Sequence, residues 1–219
     1  MPRYGLVLFD LDGTLTDPRV GITRSVRYAL ESLGMEVPEE RRLESFIGPP
    51  LLESFQSACG MDEPRARAAV DAYRERYSGR GLYENEVYAG IPAILDQLAA
   101  KACLVLVATS KPAEFAERVL RHLGLRPYFR DVVGPRLDDL HASKEDVVRA
   151  ALSRVSNWRQ RGAVMVGDRE HDVRGAQANG IDSVAVGYGY GSRGELEDAR
   201  PTFHVRTVEE LARLLAGLT

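Results

Sequence analysis

The chain is poor in most of the features that announce a specialised protein. It has two cysteines, Cys59 and Cys103, in 219 residues, too few for a disulfide framework or a cysteine-rich metal knot, and the pair suits a reducing compartment. A cytoplasmic location is the expectation. No apolar run exceeds seven residues, far below the ~20 that a spanning helix needs. The opening residues, MPRYGLVLFD, lack the apolar core and small-residue cleavage site of a signal peptide. Nor is one sign of charge in surplus. The 29 basic and 32 acidic residues leave a net charge of −3, which offers no basic face to a nucleic-acid polymer or to a membrane. Any polyanion has to be gripped locally. What the chain does have is 44% hydrophobic residues, enough for a sizeable core and too many for wholesale disorder.

The apolar pattern changes character along the chain. Residues 4–9 (YGLVLF), 103–108 (CLVLVA), 163–166 (AVMV) and 183–186 (SVAV) are short apolar runs without alternation, as parallel strands buried on both faces require. Val132 and Val133 make a weaker fifth. Helical periods lie between them, in Ile91, Ile94, Leu95 and Leu98, in Phe115, Val119, Leu120 and Leu123, and in Val147, Val148, Ala151, Leu152 and Val155. Ser143 with Asp146 and Thr207 with Glu210 are spaced as helix caps, and Asn179-Gly180 can close a helix. The alternation predicts an α/β fold, a doubly wound parallel sheet with a Rossmann-like core. Residues 16–85 break it. They carry no convincing buried strand, and the spacing predicts helices near 22–33, 39–46, 51–58 and 64–77. An insertion of that length straight after the first strand is too long for a bare connection, so the expected organisation is a core of 1–15 and 86–219 with an all-helical cap of 16–85. Ligands of open α/β sheets bind beyond the carboxyl ends of the strands, where this insertion leaves the core.

Those strand ends carry the chemistry. The first run ends in Asp10-Leu11-Asp12-Gly13-Thr14, the second in Thr109-Ser110-Lys111, and the third in Gly167-Asp168 followed by Asp172. Parallel strands bring all three ends to one edge of the sheet. Clustered carboxylates repel, and in a partly buried cleft they stay ionised only beside a cation or hydrogen-bond donors, so a metal is implied. A set of oxygens without cysteine or histidine favours Mg²⁺, which takes one or two carboxylates, waters and a phosphate oxygen.

DLDGTLTD at 10–17, ATSKP at 108–112, the lysine at 144 and VGDREHD at 166–172 resemble, in order, the four motifs of the haloacid dehalogenase-like hydrolase superfamily. The helical insertion is similar to that superfamily's first type of α-helical cap. GITRSVRYAL, FIGPPLLESF, VYAGIP, ATSKPAEFAERVL and GYGYGSRGEL resemble the bacterial phosphoglycolate phosphatase-like group and its 5′-nucleotidase-like branch. The resemblance implies a Mg²⁺-dependent phosphatase of a small phosphorylated metabolite, monomeric or homodimeric, working through an aspartyl-phosphate. Asp10 is then the nucleophile. Asp12 is the acid and then the base. The side chains of Asp10 and Asp168 and the backbone carbonyl of Asp12 hold the metal, with Asp172 bound to a metal water or positioning its neighbours. Thr109 and Lys144 stabilise the transferring phosphoryl group, and Lys111 is the reserve for Lys144. Gly13, Ser110 and Lys111 approach the phosphate, and Arg24, Ile47, Gly48 and Pro49 are the cap residues placed to meet the leaving group.

Blander readings cover the remaining signals. His171, between Asp168 and Asp172, is a solvated helix histidine rather than a ligand, and His141 is a loop-surface residue. The glycine-rich 187–191 follows a late strand without the GxGxxG spacing of a dinucleotide site, and is expected as a turn near the rim. Phe46, Phe55, Tyr73 and Tyr77 read as cap core. Three other functions share parts of the motif set. A sugar-phosphate phosphomutase needs the same nucleophile, a dehalogenase has no use for Asp12, and a pseudoenzyme or phospho-acceptor would bind phosphate without turnover.

Overall fold

The apolar runs become neighbouring strands because each is buried on both faces, an environment that only a sheet covered by helices on both sides provides. The structure is a computed structural model that describes residues 3–219, so the first two residues of the stretch assigned to the core lie outside it. Strand β1 (Leu6–Phe9) leads to a two-residue strand β2 (Thr16–Asp17), and four helices follow: α1 (Arg19–Ser32), α2 (Glu40–Glu44), α3 (Leu51–Cys59) and α4 (Glu63–Gly79). A second two-residue strand, β3 (Glu86–Val87), returns the chain to α5 (Ile91–Ala100), β4 (Leu104–Ala108), α6 (Ala113–His122) and β5 (Asp131–Val133). The remainder runs α7 (Lys144–Ser153), α8 (Trp158–Arg161), β6 (Ala163–Gly167), α9 (Glu170–Ala178), β7 (Asp182–Val186), α10 (Arg193–Ala199), β8 (Phe203–Val205) and α11 (Val208–Leu218). No helix among the described residues is long and apolar enough to cross a membrane.

Six strands form one parallel sheet in the order β5-β4-β1-β6-β7-β8. The fold is the doubly wound α/β sheet that the alternation predicts. Side chains of β1 alternate between its faces: Val7 and Phe9 pack with Ile91, Ile94, Leu95 and Phe115, while Leu6 and Leu8 pack with Val147, Val148 and Leu152. Each such burial contributes about 1.5–3 kcal/mol. The sixth strand, β8, was not predicted. It is a three-residue edge strand with an exposed His204, too short and too weakly apolar to stand out in sequence.

Register is what matters for the site. Phe9 lies level with Val107 of β4 and with Val166 of β6, so the three strands end within one residue of one another. The next residues of each, Asp10, Thr109 and Asp168, therefore emerge within two positions of one another.

The segment between β2 and β3 is helical as its periodicity predicts. Ile22, Val26, Ala29 and Leu30 of α1 face Ala66, Ala69, Val70 and Tyr73 of α4, all of them buried. Gly21 is needed where α1 crosses residue 81, because a Cβ there would stand 2.1 Å from the Gly81 carbonyl oxygen. The two short strands were not foreseen. β2 and β3 pair antiparallel, Thr16 with Val87 and Asp17 with Glu86, and tie the outgoing chain to the returning one. Two residues apiece are too few to show any alternation.

Candidate active site

Asp10 is the first residue beyond β1. Its backbone N–H continues the ladder to the Val166 carbonyl at 2.9 Å, which fixes where the side chain starts. Lys144, at the first position of α7, donates to Asp10 Oδ1 at 2.6 Å and also lies 2.8 Å from Asp172 Oδ1. One ammonium thus bridges the two carboxylates. Burial on its own would depress the Lys144 pKa, but Asp10 and Asp172 outweigh it and hold the ammonium charged. A cation at a helix N-terminus opposes the dipole. Ser143 relieves this by capping α7, accepting from the Asp146 N–H at 3.1 Å, and Glu145 and Asp146 add negative charge in the first turn.

Asp12 is held separately. Lys111 lies 2.8 Å from its Oδ1 and 2.6 Å from its Oδ2, and the same ammonium donates to the Tyr77 hydroxyl at 2.5 Å. Sequence placed Lys111 near the phosphate; the structure makes it the partner of Asp12 and joins it to helix α4. Burial raises the Asp12 pKa, with Lys111 opposing and Asp10 adding to the rise. The two carboxylates of the first motif thus have different ammonium partners and different surroundings. Thr109 is buried at the end of β4, its Oγ1 accepting from the Lys111 N–H at 3.2 Å, which leaves its own hydrogen free to donate.

Asp168 is fully buried and has no lysine or arginine partner within ion-pair range among the described residues. It accepts from the Tyr190 N–H at 2.8 Å on Oδ2 and from the Thr14 hydroxyl at 3.2 Å on Oδ1. Burial first, and then Asp10 and Asp172, push its pKa well above the usual carboxylate range. Asp172 Oδ2 accepts from the Arg169 N–H at 3.1 Å, capping α9. Burial raises its pKa too, with Lys144 working against the rise. One oxygen from each of Asp10, Asp168 and Asp172 lies within 4.8 Å of the other two. Four buried carboxyl groups face two ammonium groups, and burial raises the pKa of three of the four, the mark of acids short of cations. A divalent cation of oxygen preference fits this set in charge and donor type. None of the histidines belongs to it: His141 lies 3.4 Å from Arg67 and His171 lines an outer opening beside Lys144 and Arg174.

A cleft opens between this edge and the helical segment. Asp12, Ser110 and Lys111 line it from the sheet, and Gly48, Pro49, Phe46, Tyr73 and Tyr77 from the helices. Three of the four aromatics expected as cap core are therefore both buried and turned to the cleft, while Phe55 packs only inside, edge-on to Phe46 at 5.0 Å. Arg24 is not part of it. Its guanidinium turns outward to Glu84 at 2.9 Å, and its side chain is 60% exposed, because the next turn of α1 directs it away from the sheet. Ile47 is fully buried and contributes its carbonyl instead, accepting from Arg169 Nη1 at 2.6 Å. Gly48, with φ of 107°, passes so close that a Cβ would stand 2.9 Å from Arg169 Cγ.

Several residues here escaped the sequence reading. Arg169, directly after Asp168, bridges Ile47 and Glu195. The 187–191 turn does more than edge the site: a Cβ on Gly189 would lie 2.4 Å from both Asp168 Cβ and the Gly13 carbonyl, and one on Gly191 would lie 2.0 Å from the Asp168 carbonyl. Tyr188 donates to the Thr14 carbonyl at 2.9 Å and Tyr190 to Asp17. The alternating glycines after β7, the strand beside β6, were the available signal. Arg74, also on the cleft, had none.

Known relatives share this architecture. The pattern of the haloacid dehalogenase-like hydrolases matches residues 7–186. The chain is 46% identical to a 5′-nucleotidase of Pseudomonas aeruginosa over 97% of its own length and 96% of the relative. It is 42% identical to the tyrosine-protein kinase PtkA of Mycobacterium tuberculosis, over 96% of this chain and 72% of that one. The crystal structure of a predicted phosphatase from Clostridium acetobutylicum superposes with a TM-score of 0.91 at 42% identity, covering 97% of this chain and 98% of the other. Strand order, strand-end carboxylates and these likenesses define a hydrolase of the phosphatase class. The chain belongs to the haloacid dehalogenase-like hydrolase family.

Proposed function

We propose that this chain hydrolyses small phosphomonoesters through an aspartyl-phosphate on Asp10, with Mg²⁺ held by Asp10, the Asp12 carbonyl and Asp168, and with residues 16–85 acting as a cap over the core formed by 1–15 and 86–219. The observation that carries the proposal is the division of labour between two carboxylates two residues apart. Asp10 is gripped by Lys144 at 2.6 Å, an ammonium that fixes its carboxylate and offsets the charge of an incoming phosphate. Asp12, whose pKa is raised, can carry the proton that a leaving alkoxide needs. The proton passes from Asp12 to the ester oxygen as Asp10 attacks phosphorus, and returns to Asp12 from the water that splits the aspartyl-phosphate. Thr109 donates its hydroxyl hydrogen to a phosphoryl oxygen, and Lys144 offsets the charge brought against Asp10. A bound Mg²⁺ would supply charge neutralisation for the phosphoryl oxygens. Asp172 orients Lys144 and Arg169 and stays outside the reaction.

The leaving group is a nucleoside or a small acid such as glycolate; the nucleotidase relative supports the former. Release of inorganic phosphate from p-nitrophenyl phosphate is the test. Activity lost to EDTA, restored by Mg²⁺ and lowered at least about a thousandfold in Asp10→Asn is the expected result. An Asp10→Asn protein as active as the native one refutes the nucleophile. Steady phosphate release without a bisphosphate activator excludes a phosphomutase, and release to water rather than transfer to a tyrosine separates the activity from that of a tyrosine kinase such as PtkA.

A further inference from the structure

The cleft between helices and sheet is lined by four charged side chains, Asp12, Lys111, Arg74 and Asp139, two of each sign. Asp12 and Lys111 satisfy each other at 2.6 Å. Arg74 is different. Its Nε is buried with no hydrogen-bond partner, and no carboxylate of the described residues forms an ion pair with it, whereas Arg76, two residues on, binds both Ser25 and Glu84. Burial outweighs the pull of Asp71, which forms no ion pair with it, and lowers the Arg74 pKa, as expected of a guanidinium left short of partners. An unmet buried donor of this kind is costly in the free protein and is repaid when a ligand supplies the acceptor.

The chemistry of that ligand follows from the rest of the wall. Acidic and basic side chains are equal in number along the cleft, so it has no surplus of cations with which to select a leaving group that is itself an anion. Its other faces are apolar and aromatic, with Phe46, Tyr73 and Phe115 presented to the space, Tyr73 stacked on Tyr77 at 5.0 Å and Tyr77 edge-on to Phe115 at 5.7 Å. A flat, neutral group with acceptors on one edge meets both demands. A guanidinium is a rigid fork and prefers two neighbouring acceptors. Among nucleobases, guanine offers that pair in O6 and N7, as does any 6-oxopurine, while adenine puts a donor beside its N7. Resting on the phosphatase reading above, we propose that the leaving group is a purine nucleoside and that Arg74 selects a 6-oxopurine base, so that GMP and IMP are preferred to AMP.

The experiment is a comparison of kcat/KM for GMP, IMP, AMP and 2-phosphoglycolate in the full chain, in Arg74→Met and in Arg74→Lys. A bidentate contact predicts GMP and IMP ahead of AMP by about tenfold or more. Arg74→Met should erase that ratio, chiefly through KM, and Arg74→Lys should restore little of it because an ammonium has no fork. A purely structural role would instead lower all substrates alike. Equal use of GMP and AMP by the native chain, an unchanged ratio in Arg74→Met, or a preference for 2-phosphoglycolate overturns the assignment. Calorimetric titration with guanosine and adenosine reads the same selectivity without turnover. Tighter guanosine binding in a chain that releases no phosphate would uphold the site while refuting the phosphatase, and equal binding would refute the site alone.

Discussion

Replacing Asp168 with asparagine should make the metal-free protein more stable while removing its response to Mg²⁺. The reasoning is electrostatic. Asp168, Asp10 and Asp172 each bring an oxygen within 4.8 Å of the others, and like charges at that separation repel by about 3 kcal/mol per pair at an effective dielectric of ~20. Lys144 touches Asp10 and Asp172 but not Asp168, so it offsets only part of this. Burial and these two neighbours push the Asp168 pKa well above the usual carboxylate range, so neutralising it relieves about 2 kcal/mol where the group is ionised, above that pKa, and less below it. The substitution also keeps both hydrogen bonds. The amide oxygen can accept from the Tyr190 N–H, and the amide nitrogen can donate to the Thr14 hydroxyl, which reverses its role from donor to acceptor. For a chain of this size, 2 kcal/mol corresponds to a Tm rise of about 4–8 °C. Scanning calorimetry in EDTA from neutral to alkaline pH reads it, with the gap between variant and native chain widening as the pH rises. In millimolar Mg²⁺ the native chain should gain stability through binding to the folded state alone, and Asp168→Asn should gain none. A variant that melts at or below the native temperature in EDTA, or that shifts with Mg²⁺ as the native chain does, would refute both the charge accounting and the metal assignment.

Two further outcomes follow from the structure. Glu84 accepts from Arg76 and from Arg24, and the Arg76 hydrogen bond foremost holds its carboxyl below the usual range. Because its folded pKa is depressed, its contribution is present above the unfolded value of 4.5 and is lost as pH falls through the folded one. Glu84→Gln should therefore cost about 1 kcal/mol at pH 7, with the gap to the native chain closing below pH 4.5 in urea titrations; a gap independent of pH would contradict the pairing. Gly189→Ala places a methyl 2.4 Å from Asp168 Cβ and must displace that carboxylate. Loss of the Mg²⁺-dependent Tm shift with near-native helical circular dichroism is expected, and an intact shift would show that the turn does not hold Asp168 in place.

Much of this protein was legible in the order of its residues. Short uninterrupted apolar runs rich in β-branched residues suit strands buried on both faces, and helical periods between them point to a doubly wound parallel sheet. Once strands are parallel, the residues after their last apolar position share an edge. Asp10, Asp12, Thr109 and Asp168 were therefore placed together by spacing alone, and Lys144 and Asp172 by their motifs. These are consequences of local periodicity and strand direction, which are properties of the chain.

Tertiary packing decided everything that depends on which side chain meets which across the molecule. Lys111 and Lys144 look alike in sequence, each a lysine near a strand end or a helix start, yet one belongs to Asp12 and the other to Asp10 and Asp172. Arg24 and Arg74 both lie on helices of the inserted segment, yet Arg24 turns to Glu84 while Arg74 faces the cleft without a partner. The turn at 187–191 reads as a rim and proves to clamp Asp168, a contact set by the neighbouring positions of β6 and β7. A charge acquires its role from the partner that burial leaves it, and that partner stands tens of residues away along the chain.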